Sequence, residues 1–369
     1  MERKYRVCHI CSYYETPIFS DFILHQIEFT VPRVFYYQHY KHKFLNGDEA
    51  YVDKCPCYSK WQRAFFYAKQ GKAIQKYKEY YQDSNIELNF SHSLFTNGYV
   101  AYKVKLDWKI PYIVAIQNTD INVFFKYLFF LRKTGIEILR EAEAVVLASD
   151  SYKETLLKQY IPKKYRAEIE KKILVVPYGI NDFYSDNRFD GKKIIKDKIK
   201  IISVGRIETN KNQLLICKAL ESGTILDKPV ELKIIGEDVN GKLLKKICSY
   251  RFVKYFSYMD KNELMKQYRN SDIFILTSKT ETFGLVYAEA LSQGLPIIYT
   301  SNQGFDKQFD EGFIGYHAKL EAKELKRKIE NIVKNYGYLQ GNCVNASRKF
   351  EWKSISKQYA ELYWKILSN

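Results

Sequence analysis

Short apolar runs alternate with helix-length amphipathic stretches along the whole chain, and this rhythm limits the fold more than any other feature. Runs such as Ile273–Leu276 carry no polar residue, as suits strands covered on two faces. Strand–helix alternation specifies parallel sheets with helices on both sides. In the first half the pattern predicts strands over 5–11, 33–37, 87–91, 112–117, 144–148 and 173–176. Helices are predicted there over 61–81, 96–105, 123–140 and 151–159. In the second half, strands are expected over 199–204, 231–235, 273–276 and 296–299, and helices over 212–222, 240–249, 261–269, 285–293 and 321–335.

With 369 residues the chain is long enough for two domains. The stretch 182–193 is polar, lacks an apolar period and follows Pro177-Tyr178-Gly179, so it reads as the linker. It divides a first domain, 1–183, from a second, 196–350. The expected fold class is α/β, with two Rossmann-like doubly wound domains facing a central cleft, toward which the carboxyl ends of both sheets direct ligands.

The second domain carries the chemistry. Gly205-Arg206 follows the apolar strand, with Lys211 a few residues on. Arg206 can fork two phosphate oxygens and Lys211 adds a point charge. Further along, the strand over 273–276 leads into Thr280-Glu281-Thr282-Phe283-Gly284-Leu285 and then Glu289-Ala290-Leu291. A glycine at a helix start exposes backbone N–H groups and the positive end of the helix dipole, which suits a phosphate. Glu281 and Glu289, in Glu-x7-Glu spacing, present carboxylates that accept hydrogen bonds from sugar hydroxyls. Together these parts describe a pocket for a sugar joined to a diphosphate.

Gly205-Arg206 with Lys211, Gly236 after Lys233-Ile234-Ile235, Glu281 through Gly284, Glu289-Ala290-Leu291 and Gly294-Leu295-Pro296 occur in an order that resembles the family-4 retaining glycosyltransferases. The resemblance implies a GT-B fold and a nucleotide-sugar donor. The tail 351–369 resembles the family's last helix, which packs back on the first, acceptor-side domain. It implies that Glu281 holds donor-sugar hydroxyls and Glu289 the ribose. It gives the phosphate or sugar to backbone N–H groups of Phe283, Gly284 and Leu285, and the diphosphate to Arg206 and Lys211, with Gly205 and Gly236 shaping the site. Tyr258 falls in a loop expected to shape base and sugar selectivity. No Asp-x-Asp triplet is present, so neither a metal nor another cofactor is expected.

Acceptor-side candidates are fewer. Tyr14 follows the first strand, where the family has an acceptor loop. Ile116-Gln117-Asn118-Thr119-Asp120 follows another strand, where members often carry a histidine, and makes Gln117, Asn118 and Asp120 candidates. His92, at the end of the strand over 87–91, can bind or deprotonate an acceptor hydroxyl. The acceptor implied is a glycan or a lipid-linked glycan, in polysaccharide or glycoconjugate assembly. A sugar phosphorylase and a nucleotide-sugar epimerase are alternatives on the same fold.

Lys plus Arg outnumber Asp plus Glu, 59 to 42, for a net charge of +17. This favours anionic partners without choosing among nucleotides, nucleic acid and acidic lipid. No helix-turn-helix, RNA-recognition or zinc motif is present, so nucleic acid is not an expected partner. Trp61, Phe65 and Ala68 share a helical face, as do Phe124, Leu128 and Leu131, with lysines beside both. Such stripes either cover a sheet or rest on an anionic membrane surface. No apolar run is long enough to span a bilayer, and the charged start leads into a strand. The chain is expected to be cytoplasmic, with the inner face of the cell membrane as a further location. The seven cysteines show no paired metal spacing and read as reduced thiols.

Overall fold

The computed structural model describes residues 4–11, 22–30, 50–59 and 61–368. Tyr14 and the strand expected over 33–37 lie outside the described residues. The chain divides into two units. One contains Met1–Leu147, Lys153–Val176 and Ser356–Asn369, and the other contains Ala148–Tyr152 and Pro177–Ile355.

The first unit holds a seven-stranded sheet of β1 (Tyr5–Ile10), β2 (Phe22–Thr30), β3 (Ala50–Pro56), β4 (Leu88–Ser91), β5 (Tyr112–Ala115), β6 (Ala144–Leu147) and β7 (Ile173–Val175). Their spatial order is β3-β2-β1-β4-β5-β6-β7, and every neighbouring pair is parallel. Central strands β4, β5 and β6 are buried at every position, so both their faces are covered by helices. Part of the cover comes from the C-terminal helix Trp352–Leu367, whose Tyr363 packs edge-on against Phe22 and whose Trp364 packs against Tyr5.

The second unit contains β8 (Ile199–Val204), β9 (Thr224–Ile225), β10 (Lys228–Ile235), β11 (Val253–Phe256), β12 (Ile273–Ile275), β13 (Ile297–Thr300) and β14 (Gly315–Ala318). Six of them run parallel in the order β11-β10-β8-β12-β13-β14, with β9 antiparallel on β10. One apolar core includes Ile201, Leu232, Ile273 and Ile298; the other includes Phe274, Phe283, Tyr287 and Phe305. Each sheet reverses its strand order once, at β1/β4 and at β8/β12. In open α/β sheets, the crevice at the carboxyl ends of such a pair is where ligands bind.

Three expectations need correction. The stretch 123–140 is not one helix. Asp120–Phe125 forms a wide helical turn, Phe129–Leu131 a tight one, and Arg132–Glu141 an α-helix. Leu128 leaves helical geometry between the first two, and the Arg132 Nε caps the carbonyl of Phe125 at 2.6 Å. The stretch 182–193 is not a loose joint. Asp182–Asp186 is helical and capped by the Asn181 side chain, Tyr184 is buried, and Asn187 O accepts from Arg269 and Gln293. Third, the stretch 61–81 is not one helix: Trp61–Ala64 is a tight turn, Phe65 is extended, and the α-helix Phe66–Tyr81 buries Gln70, Ala73, Tyr77 and Tyr81, with Trp61, Phe65 and Ala68 exposed. Among the described residues no helix is long and apolar enough to cross a membrane.

Candidate functional site

The carboxyl end of β8 is Val204, and the chain then turns through Gly205 beside Gly236, which follows β10. A Cβ on Gly236 would lie 2.1 Å from the Gly205 carbonyl oxygen, so only glycine lets the two turns touch. Fully buried Gln213 ties the first turn down, its Nε2 donating to Arg206 O at 2.9 Å. With its backbone fixed, Arg206 sends its side chain outward. The guanidinium is mostly solvent-exposed and lies 3.5 Å from Glu208.

The loop after β12 meets this turn. Asn210 joins them: its Oδ1 accepts from Thr280 N and Oγ1, and its Nδ2 donates to Thr280 O. Next to it, Lys211 Nζ reaches Glu281 Oε2 at 2.7 Å, and Ser278 Oγ donates to the same oxygen at 3.0 Å. Both charged side chains are largely buried, at 20% and 13% exposure. Lys211 and Glu281, expected to hold different parts of one ligand, hold each other here. The Glu281 backbone is fixed on both sides. Its N–H donates to Gln303 Oε1, and its carbonyl accepts from Gly304 N–H and the Tyr152 hydroxyl. A Cβ on Gly304 would sit 1.8 Å from Thr282 O, so that close approach also requires glycine.

Gly284 then takes φ +82° and starts the helix Leu285–Ser292. Phe283 is a core side chain, packed against Phe305 and Phe350. The backbone N–H groups of Phe283, Gly284 and Leu285 make no hydrogen bond to another described residue. They form a donor cluster at the positive end of a helix dipole, beside Lys211, and such an arrangement attracts an anion.

Glu289 lies about one turn into that helix and accepts from the Tyr268 hydroxyl at 3.2 Å. Desolvation raises its pKa to about 7, against the lowering by Tyr268 and Lys261. Tyr258 is highly exposed and available to a ligand, but nothing in its surroundings fixes its role.

In the first unit, His92 follows β4 at the β1/β4 reversal. Its Nε2 lies 3.1 Å from His9 Nδ1, and His9 Nε2 lies 3.2 Å from the Tyr363 hydroxyl. Burial pushes the His9 pKa down to about 3 and that of His92 well below the ordinary value, so both rings are neutral near pH 7. Two neutral rings sharing one hydrogen bond must adopt complementary tautomers. The His92 Nε2 is therefore committed to His9.

Asp120 is buried in the first unit. Its buried carboxylate accepts from the backbone N–H groups of Leu94, Phe95 and Gln117, at 2.8–3.1 Å. It staples the loops after β4 and β5. Burial still raises its pKa to about 6. Gln117 and Asn118 remain partly exposed beside it, with Asn118 Oδ1 accepting from Asn122.

Sequence reading missed the supports: Asn210, Ser278, Gln303 and Gly304. Only Ser301-Asn302-Gln303-Gly304 carried a signal, a turn-type cluster after β13.

Residues 185–350, which include this whole second-unit site, match the family described as "Glycosyl transferases group 1". Over 255 residues the chain is 29% identical to a probable sucrose-phosphate synthase from Thermosipho melanesiensis, covering 64% of this chain and 58% of that protein. It therefore spans less than two-thirds of that relative's length. A solved sucrose-phosphate synthase from Thermosynechococcus elongatus superimposes with TM-score 0.73 at 14% identity, over 99% of this chain and 100% of the other. The Anabaena protein HepE, solved in complex with UDP and glucose, superimposes with TM-score 0.66 at 13% identity, over 98% and 100%. These likenesses and the two strand orders show a GT-B fold of two Rossmann-like domains.

Proposed function

We propose that the chain is a retaining glycosyltransferase, moving a sugar from a nucleoside-diphosphate sugar to a hydroxyl of a glycan or lipid-linked glycan during polysaccharide or glycoconjugate assembly. The observation that carries this reading is the Lys211–Glu281 pair, 2.7 Å apart, beside the open N–H groups at Gly284. A cation and N–H donors suit a diphosphate, and a carboxylate next to them suits the sugar attached to it. On binding, Lys211 turns to the diphosphate with Arg206, and Glu281 accepts from sugar hydroxyls. Glu289 accepts from the ribose.

In the reaction, the bond from the anomeric carbon to the diphosphate oxygen breaks, and the electron pair leaves with the diphosphate. Arg206, Lys211 and the Phe283–Leu285 amides stabilise that growing charge from fixed positions. The acceptor oxygen bonds to the oxocarbenium-like carbon from the face just vacated, and its proton passes to the departing phosphate oxygen. Two protein cations and a helix start suit charge neutralisation without a metal. A nucleotide-sugar donor places the reaction on the cytoplasmic side.

The test is the anomeric configuration of the product, read by NMR from UDP-, GDP- and ADP-sugar panels. Retention is expected, undiminished by EDTA. An inverted product contradicts the mechanism. Turnover that requires inorganic phosphate, or that proceeds with no acceptor, indicates a phosphorylase or an epimerase instead.

A further inference from the structure

The first unit carries a surface that sugar transfer does not use. Trp61 is 85% exposed, Phe129 72%, Phe65 68% and Phe130 61%. Phe65 and Phe130 also line a cavity of about 590 Å³, together with Phe66, Phe124, Leu128 and Leu131. That volume is in the range of single-ligand pockets, roughly 300–1,000 Å³. Aromatic residues gathered at an apolar opening mark a binding surface, whereas scattered ones do not.

The charge around the opening identifies the occupant. Residues 61–78 include Arg63, Lys69, Lys72, Lys76 and Lys78 and no Asp or Glu. Residues 121–136 include Lys126, Arg132 and Lys133, again with no acid. Lys69 lines the cavity itself, and Lys126 lies 5.2 Å over the Tyr127 ring at its edge. Lys76 and Lys78 are paired with Glu79 and Asp107, and the remaining cations, beside an apolar mouth, complement acyl chains lying beneath anionic headgroups. The Trp61 indole and the Tyr127 phenol have the amphipathic form that settles at the level of headgroups.

We propose that this face docks on an anionic phospholipid bilayer, with Trp61, Phe65, Phe129 and Phe130 entering the headgroup region. One acyl chain occupies the cavity, and Lys69, Lys126 and Lys133 face lipid phosphates. The surface does not depend on the transfer reaction, so either reading can fail alone.

The experiment is co-sedimentation of the full chain with phosphatidylglycerol–phosphatidylcholine vesicles and with pure phosphatidylcholine vesicles. Binding is expected to the first and not the second, and it weakens as salt rises. Phe65→Ser with Phe130→Ser should lower partitioning by about tenfold or more, since each exchange removes exposed aromatic area that the bilayer would bury. Lys126→Glu with Lys133→Glu should lower it further, because each cation near the surface is worth about fivefold. UDP affinity and melting temperature should not change in these variants. Wild-type protein that ignores anionic vesicles overturns the proposal, as does unchanged binding by the double Phe variant. So does a wild-type dimer, without vesicle binding, that the double Phe variant converts to monomer, since the face then joins two copies of the chain.

Discussion

Exchanging Glu281 for Gln separates the two roles assigned to the Lys211–Glu281 pair. The amide keeps the shape and can still accept from Ser278 and Lys211, but it carries no charge. At 2.7 Å and an effective dielectric near 20, the direct attraction is about 6 kcal/mol. Most of this is offset by desolvation, leaving a net of about 1–2 kcal/mol for a charge-assisted bond of this kind. For a unit of this size, that lowers the melting temperature by about 2–4 °C per kcal/mol. The effects on binding and rate should diverge. Lys211 no longer has to leave an anionic partner to reach a diphosphate, so UDP affinity should hold or tighten by up to about tenfold, the equivalent of about 1.4 kcal/mol. Transfer should fall by about 10²–10³, the typical loss when one preorganised polar contact to the transition state is removed. Calorimetric titration with UDP and initial rates with the matched donor measure the two effects separately. If UDP affinity falls in step with the rate, Glu281 builds the phosphate site and the division of labour is wrong. Near-normal transfer would place the sugar elsewhere.

Three further changes test other parts of the account. Gly236→Ala puts a methyl 2.1 Å from Gly205 O, which should cost about 3 kcal/mol and abolish UDP binding; an unchanged thermal melt would refute the close approach. Glu289 has a folded pKa of about 7, above its ordinary 4.5, so its contribution to stability is complete below the unfolded value and is lost as pH rises through 7. Over the same range its ionisation should tighten binding of a UDP-sugar, whose diphosphate does not titrate there; Glu289→Gln should flatten both profiles, and a persisting slope counts against the assignment. Tyr363→Phe removes the hydroxyl 3.2 Å from His9 Nε2, which should destabilise the first unit by about 1–3 kcal/mol and change the His92 imidazole nitrogen shifts; unaltered shifts would disconnect the two rings.

Strands buried on both faces were readable because apolar residues dominate them. β8, β12 and β13 are central in the second sheet and stood out as apolar runs. Several strands near or at the sheet edges did not stand out. β3 is the edge strand with Asp53 and Lys54, β11 the edge strand with Lys254, and β14 begins at a glycine and includes His317. β2 lies next to an edge and includes His25, Gln26 and Glu28. The polar residues in these strands hide the period. The broken helix at 123–140 misled for a different reason: its aromatic spacing is helical, yet Phe124 stacks on Phe95 and Phe125 on Tyr160, and these packings outweigh local preference. In the site, Glu281, Lys211 and Gly284 were legible because charged side chains and a helix-start glycine directly after apolar strands stand out in the sequence. Asn210, Ser278 and Gln303 were not, because a side chain that positions a loop through one hydrogen bond has no signature until the fold brings its partner near.

The central claim is that a diphosphate occupies the corner formed by Arg206, Lys211 and the amides at Gly284 and Leu285. A crystal structure of the full chain with a bound nucleotide sugar tests it most directly. The account predicts phosphate oxygens within hydrogen-bond distance of Lys211 Nζ and those amides, with the Glu281 carboxylate turned to the sugar. A nucleotide sugar bound elsewhere, with the Lys211–Glu281 pair still closed at 2.7 Å, would contradict it.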